Sequence, residues 1–345
     1  MASHCTVRAI GDDARSVTYP KIELHVHFEG AVQPETLLLA ARRNGVALPA
    51  DTVEGILDLY RFTDFDNFIE TWLLVTAALR TADDFRQVVV DYAEEAARHG
   101  AVYIEGIFSP AQNVRRGVRW QEVFEGYCDG IQHAKEQTGL EVRLTPDMTR
   151  GATAEEIEET VRWSIAYQDR GVVGLGLGGY EAEYPPELYA GAFRAAIDAG
   201  LGSVPHAGEV LGPESVWGAL EHLHADRVRH GFRSIEDPAL VRELITRGTV
   251  LDTSLLSNVE IGLVPSLEEH PIRELASSGV RCSLSTDDPA MFDTDLTREY
   301  AAAAGLGLEP KMFYEVAVEG ALCDEETRAR LAQIGADFDW SGVAG

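Results

Sequence analysis

Four short stretches place imidazoles and carboxylates where they could act together: His25-Val26-His27, His206-Ala207-Gly208-Glu209, His230 with Gly231, and Asp287-Asp288. Around the first of them Ile22, Leu24 and Val26 alternate with polar residues, the period of a half-buried strand. Positions two apart on a strand face the same side, so the imidazoles of His25 and His27 project together from its end. Three histidines and a carboxylate suit Zn²⁺, with Fe²⁺ or Co²⁺ as second choices, and leave a position for water. A cation of that kind lowers the pKa of its water toward about 7. Each motif alone has a plain structural explanation, such as a core histidine pair or a helix cap before proline. Joint placement at several strand ends favours chemistry. The other histidines (His4, His99, His133, His222, His224 and His270) fall on helices or loops and read as structural.

The elements that must position these groups repeat in a regular way. Strand patterns run over Ile22–Val26, Ala101–Phe108, Glu141–Thr145, Val172–Leu177, Ser203–Pro205, Arg227–His230, Thr249–Ser254 and Val280–Thr286. A helix or a long loop follows each one. Pro34 to Asn44 has helical spacing, and Thr52 to about Gly100 stays helical, a long insertion after the first strand in which Phe65 and Phe68 could line a pocket. The pattern predicts a parallel (β/α)₈ barrel; a doubly wound sheet competes, but no Gly-rich phosphate fingerprint follows the first strand. In such a barrel the active site lies at the carboxyl ends of the strands, where the histidines and carboxylates fall. Residues 1–18 read as a poorly ordered tail, and residues 19–345 as a single barrel domain.

At 345 residues the chain is long enough for one such barrel, and its 45% hydrophobic content is that of a globular protein. The charge is strongly negative, −28 from 29 basic and 57 acidic residues, which argues against nucleic acid and anionic membrane as partners. Cys5, Cys128, Cys282 and Cys323 are scattered and read as free thiols of a reducing compartment. No signal peptide or apolar span is evident, so the expected location is the cytoplasm.

Glu23-Leu-His-Val-His-Phe-Glu-Gly30, His206-Ala-Gly-Glu209, His230-Gly-Phe-Arg-Ser-Ile-Glu-Asp-Pro238, Ser257-Asn258 and Thr286-Asp-Asp-Pro-Ala290 resemble the adenosine deaminase family of the amidohydrolase superfamily. The resemblance runs in family order from about Pro20 to Tyr300. It implies a zinc-dependent hydrolase that replaces the 6-amino group of a purine nucleoside by an oxo group and releases ammonia. By this resemblance His25, His27, His206 and Asp287 hold one Zn²⁺. Glu209 shuttles a proton to purine N1, and His230 orients the attacking water and helps deprotonate it. Asp288 bonds N7, and the Gly179 N–H meets N3. The Cys/His site of cytidine-type deaminases is absent, and no lysine at Gly174–Gly179 offers a two-metal bridge.

Substrate is where this chain departs from the common family pattern. Glu29 stands where aspartate is usual, near the sugar. Gly176 and Tyr180 replace two acidic residues, and Ser254-Leu-Leu-Ser-Asn258 replaces a Cys-Pro-containing run. Glu29 is shared with adenine deaminases and with the branch acting on 6-amino-6-deoxyfutalosine, a nucleoside of menaquinone biosynthesis with a benzoate-bearing 5′ extension. Ile107-Phe-Ser-Pro110, Glu125-Gly-Tyr-Cys-Asp-Gly130 and Arg143-Leu-Thr-Pro-Asp147 resemble that branch. Arg115, Arg116 and Arg119 are available to a carboxylate, or simply face solvent. The expected substrate is 6-amino-6-deoxyfutalosine or adenosine, with free adenine as the alternative. A non-catalytic nucleoside-binding protein is the rival of another class, and a homo-oligomer is allowed.

Overall fold

In the computed structural model, which describes residues 19–343, all paired strands run parallel. The tail assigned to residues 1–18 lies outside the described residues. The strands are β1 (Lys21–His27), β2 (Ala101–Ile107), β3 (Glu141–Leu144), β4 (Asp147–Thr149), β5 (Gly174–Gly178), β6 (Gly202–Ala207), β7 (Arg227–His230), β8 (Val250–Thr253) and β9 (Arg281–Leu284). Two ladders form, β1-β2-β3 and β4 through β9. Single bridges join them, Leu144 to Val172 on one side and Val26 to Asp287 on the other, and the ring closes.

The third strand pattern spans Glu141–Thr145 and predicts nothing beyond it. The strand stops at Leu144 and resumes at Asp147 as β4. Pro146 lies in the gap and has no N–H to give a ladder, although its carbonyl still accepts from Gly176. β3 and β4 therefore share one barrel position, and the eight positions expected are kept by nine segments.

Four helices separate β1 from β2: α1 (Pro34–Asn44), α2 (Val53–Leu59), α3 (Phe65–Thr76) and α4 (Ala82–Arg98). Each of the last three starts on a side-chain cap, from Thr52, Asp64 and Thr81 in turn. α4 turns Phe85, Val88, Val89, Tyr92, Ala93 and Ala96 inward. After it come α5 (Pro110–Arg115) and α6 (Trp120–Thr138). α6 lies so close to α4 that a Cβ on Gly130 would sit 2.7 Å from the Val89 Cβ, and one on Gly126 would sit 2.6 Å from the Ala82 carbonyl oxygen. The outer layer continues with α7 (Ala154–Ala166), α8 (Ala190–Asp198), α9 (Pro213–His222), α10 (Pro238–Arg247), α11 (Leu255–Glu260) and α12 (Ile272–Ser277). It ends with α13 (Leu296–Gly305), α14 (Pro310–Gly320) and α15 (Glu325–Asp337). Among the described residues no helix is long and apolar enough to cross a membrane.

The inside of the barrel is partly ionic. Arg227 is buried between Glu105 (2.7 Å) and Asp252 (2.9 Å), and Arg229 bonds Asp147 at 2.5 Å. Every one of these side chains is sealed from water, so removing a single partner would strand a buried charge.

Candidate active site

β1 delivers His25 and His27, β6 delivers His206, β7 ends on His230, and Asp287 follows β9 by a short turn. These side chains meet at the carboxyl end of the barrel. The His25 and His27 Nε2 atoms each lie 3.1 Å from the His206 Nε2. Asp287 Oδ1 is 3.2 Å from the first and 3.5 Å from the second. A tetrahedral zinc with bonds of about 2.0–2.1 Å separates neighbouring donors by about 3.3 Å, and these four separations are compatible with that spacing. Burial pushes all three imidazoles well below their ordinary pKa, leaving them neutral with a lone pair to give. His206 Nδ1 is 3.0 Å from the Leu177 carbonyl and His25 Nδ1 is 3.4 Å from that of Asp252. A carbonyl can only accept, so the proton sits on Nδ1 and Nε2 is free for metal.

His230 is next to this group and set apart from it. Its Nε2 lies 3.9 Å from the second Asp287 oxygen, Oδ2, and 3.5 Å from Glu209 Oε1. Spacing alone allows two overlapping cation clusters, His25, His206, His230 and Asp287, or His27, Asp287 and Asp288. The 3.1 Å approach of His27 to His206 favours His27 over His230 as a ligand. His230 and Asp287 both adopt the left-handed conformation, at φ 61° and 67°. Non-glycine residues hold that conformation at a cost of order 1–3 kcal/mol, and it aims both side chains into the site.

Glu209 is buried on the turn after β6. Burial, with the charges of Asp287 and Glu181 next, raises its pKa well above the carboxylate range, which favours the protonated form. Three backbone N–H groups of its turn, from Gly208, Val210 and Leu211, donate to the Glu181 carboxylate at 2.6, 2.7 and 2.9 Å. Arg233 holds the same turn from the other side through the Val210 carbonyl (2.6 Å). Glu181 carried no signal in the sequence, because its partners are backbone amides supplied by a different loop.

Asp288 is buried, with its pKa raised well above the ordinary range by burial and the neighbouring Asp287 charge. Trp72 of α3 donates its indole N–H to Asp288 Oδ1 at 3.0 Å, so the helical insertion reaches into the site. Gly30 makes room for that carboxyl, since a Cβ there would lie 1.7 Å from Oδ1.

The remaining sequence candidates divide. Gly179 lines the cleft in a left-handed conformation, beside Tyr180, Met148 and Ser109. Glu29 is buried behind that wall, accepts the Ser109 N–H at 2.8 Å and is pushed up to about 7 by burial. Of the three arginines, Arg115 lines the cleft and is gripped by Glu156 through Nε (2.6 Å) and Nη2 (2.8 Å). Arg116 instead ties α3 down at the Leu73 carbonyl, and Arg119 pairs with Glu122 at the start of α6. Asp147, which the sequence marks only as the end of Arg143-Leu-Thr-Pro-Asp147 and without a role in the site, fills the space opposite Gly176, where a Cβ would meet its Oδ1 at 1.9 Å. Its Oδ2 lies 3.4 Å from His206 Nδ1.

Comparison with known proteins gives concordant results. A family model described as adenosine deaminase matches residues 20–335. An aminodeoxyfutalosine deaminase of Acidothermus cellulolyticus is 52% identical over 328 residues, covering 93% of this chain and 92% of its own. The crystal structure of an adenine deaminase from Arthrobacter aurescens superposes with a TM-score of 0.88 at 28% identity, covering 92% of this chain and 98% of that one. An amidohydrolase from Burkhoderia ambifaria, solved with bound Zn, superposes with a TM-score of 0.86 at 27% identity, covering 95% of this chain and 94% of that one.

Proposed function

The chain belongs to the adenosine deaminase family, metal-dependent hydrolases acting on purine amino groups, and from that premise we propose that it deaminates 6-amino-6-deoxyfutalosine. The observation that carries the substrate is the 52% identity to the Acidothermus protein over nearly the whole chain, against 38% to an adenine deaminase covering 90% of it. Adenosine is the second substrate in this reading, and free adenine the third.

We assign His25, His27, His206 and Asp287 to a single zinc ion, which when bound supplies a Lewis acid that acidifies water. The chain's own groups do the rest. As the water oxygen adds to C6, buried and protonated Glu209 gives its proton to ring N1, relieving the charge that would build on the purine. The C6–N6 bond then breaks as one proton of the added water passes to the amine, which leaves as ammonia; the water's other proton restores Glu209, and an oxo group remains at C6 beside the N1–H. Protonated Asp288 donates to N7, an acceptor that every 6-aminopurine presents, and the Gly179 N–H meets N3. Glu29 acts on the sugar side through the Ser109 backbone it holds. Arg115, with its fork pre-set by Glu156, keeps N–H groups free at the cleft rim for an anionic 5′ substituent. Residues 19–345 act as one domain in this account.

The test is kcat/KM for the zinc-loaded protein on the three purines by ultraviolet change. A preference of at least tenfold for 6-amino-6-deoxyfutalosine is expected. Faster turnover of adenine would transfer the assignment to adenine deamination. Binding without turnover of any of them, unchanged in Glu209→Ala, would leave a nucleoside-binding protein.

A further inference from the structure

His270 was left among the structural histidines by its sequence position. In the fold it is buried at the start of α12 and begins a chain of polar contacts that ends at the reacting centre. The Ile272 backbone N–H points at His270 Nδ1 at 3.1 Å. His270 Nε2 lies 3.2 Å from Asn258 Oδ1. The amide nitrogen of Asn258 lies 3.4 Å from His230 Nδ1.

The direction of every proton in this chain follows from its first member. A backbone N–H can only donate, so His270 Nδ1 must accept and carries a lone pair. An imidazole with a lone pair on one nitrogen is neutral and bears its proton on the other. His270 Nε2–H therefore donates to Asn258 and fixes the amide with its oxygen toward His270. The NH₂ is left to donate to His230 Nδ1, which accepts and is unprotonated. His230 is then neutral too, with its proton on Nε2, the atom that faces Glu209 Oε1 at 3.5 Å and Asp287 Oδ2 at 3.9 Å. Burial holds His270 down to about 4, in agreement with its neutrality throughout the physiological range.

We infer that His270 is a positioning residue that, through Asn258, sets His230 in its Nε2–H tautomer, so that His230 enters the reaction as a hydrogen-bond donor. A nitrogen that already carries a proton has no lone pair for another, and the only basic nitrogen left, Nδ1, is turned away from the water and occupied by the Asn258 amide. His230 thus holds the attacking water by donation. The water's proton goes instead to one of the two carboxylates that His230 faces, Glu209 or Asp287. This inference rests on the placement of His230 at the reacting centre, but the nitrogen spectrum that reads the tautomer does not depend on turnover. A wrong substrate would leave the tautomer result intact.

The experiment is nitrogen NMR of the zinc-loaded protein with ring-labelled histidine, His230 being identified by the signals lost in His230→Asn. The expected wild-type pattern is a proton-coupled Nε2 and a lone-pair Nδ1. In Asn258→Asp the carboxylate accepts from both histidines, and the His230 pattern should invert while kcat falls at least a hundredfold at similar KM. His270→Leu should blur the wild-type pattern and cost about 10–100-fold in kcat, the usual penalty for removing an outer partner, and His270→Gln, which can still donate to Asn258, should recover most of it. A wild-type His230 protonated on Nδ1 overturns the inference. So does a His270→Leu protein that keeps both the pattern and kcat. If His270→Leu does not fold, the Asn258→Asp spectrum decides by inverting or failing to invert.

Discussion

The amide of His27 donates to the carbonyl of Asp287 at 2.7 Å, so the first strand and the segment after the last are joined by two residues whose side chains also converge on the cation site. The Asp287 amide returns a bond to the His25 carbonyl at 3.2 Å. Closing the barrel and bringing the proposed ligands together are therefore one event. A bound cation should stabilise the closed ring by mass action, by about 4 kcal/mol at a thousandfold excess over Kd. Chelation should lower Tm and zinc should restore it. Asp287→Asn, which keeps the backbone seam, should fold and yet bind zinc at least tenfold more weakly in a competition titration.

Glu181 accepts three N–H groups from the turn that carries Glu209. A glutamine has one oxygen where the carboxylate has two, so Glu181→Gln leaves at least one of those donors facing an NH₂. The cost should be about 1–3 kcal/mol in stability. A drop in kcat of about tenfold or more should accompany it, with zinc content unchanged, because Glu209 is displaced and the ligands are not. Metal analysis beside steady-state kinetics checks both halves.

Gly30 is a steric prediction. Its Cβ would land 1.7 Å from Asp288 Oδ1, so Gly30→Ala must push that carboxyl out of line with the Trp72 indole. KM should rise about tenfold or more while zinc stays bound. Trp72→Phe should raise KM in the same direction and by less, because it removes one hydrogen bond and moves no atom of Asp288.

Stability should fall as pH rises from about 6.5 to 8. Burial raises the folded pKa of Glu23 and Glu29 to about 7 and of Glu299 to about 8, far above an unfolded glutamate near 4.3. A raised folded pKa gives stability that is present at low pH and lost as pH climbs through it. Buried histidines act oppositely, His230 at about 3 and His270 at about 4, but only below the unfolded value near 6.5. Lys21, lowered to about 8 by burial, opposes only above that pH. Between these limits the glutamates dominate, so Tm should decline across the window, and Glu299→Gln should flatten the decline.

Much of the site was legible because strand ends obey a simple rule. Period two put His25 and His27 on one face, and the barrel rule gathered His206, His230 and Asp287 before any distance was known. The continuation beyond Pro146 into β4 was not legible, because a proline after Thr145 reads as the end of a strand. Glu181, Asp147 and His270 receive no role in the site from sequence for a common reason: each works through partners brought by other loops, namely backbone amides, a ring nitrogen and a side-chain amide. The arginines show the same limit. Arg115 and Arg116 are adjacent in sequence, yet one faces the cleft and the other ties down α3.

The central claim is that one cation held by His25, His27, His206 and Asp287, with Glu209 as proton donor, removes ammonia from a 6-aminopurine nucleoside. Ammonia release should be measured with 6-amino-6-deoxyfutalosine, for wild type and for Glu209→Ala at matched zinc content. The account predicts one ammonia for each purine converted by wild type, and a rate lower by about 10²–10⁴ in the variant despite full zinc. Equal rates in the two proteins, or no ammonia from wild type with zinc bound, would contradict it.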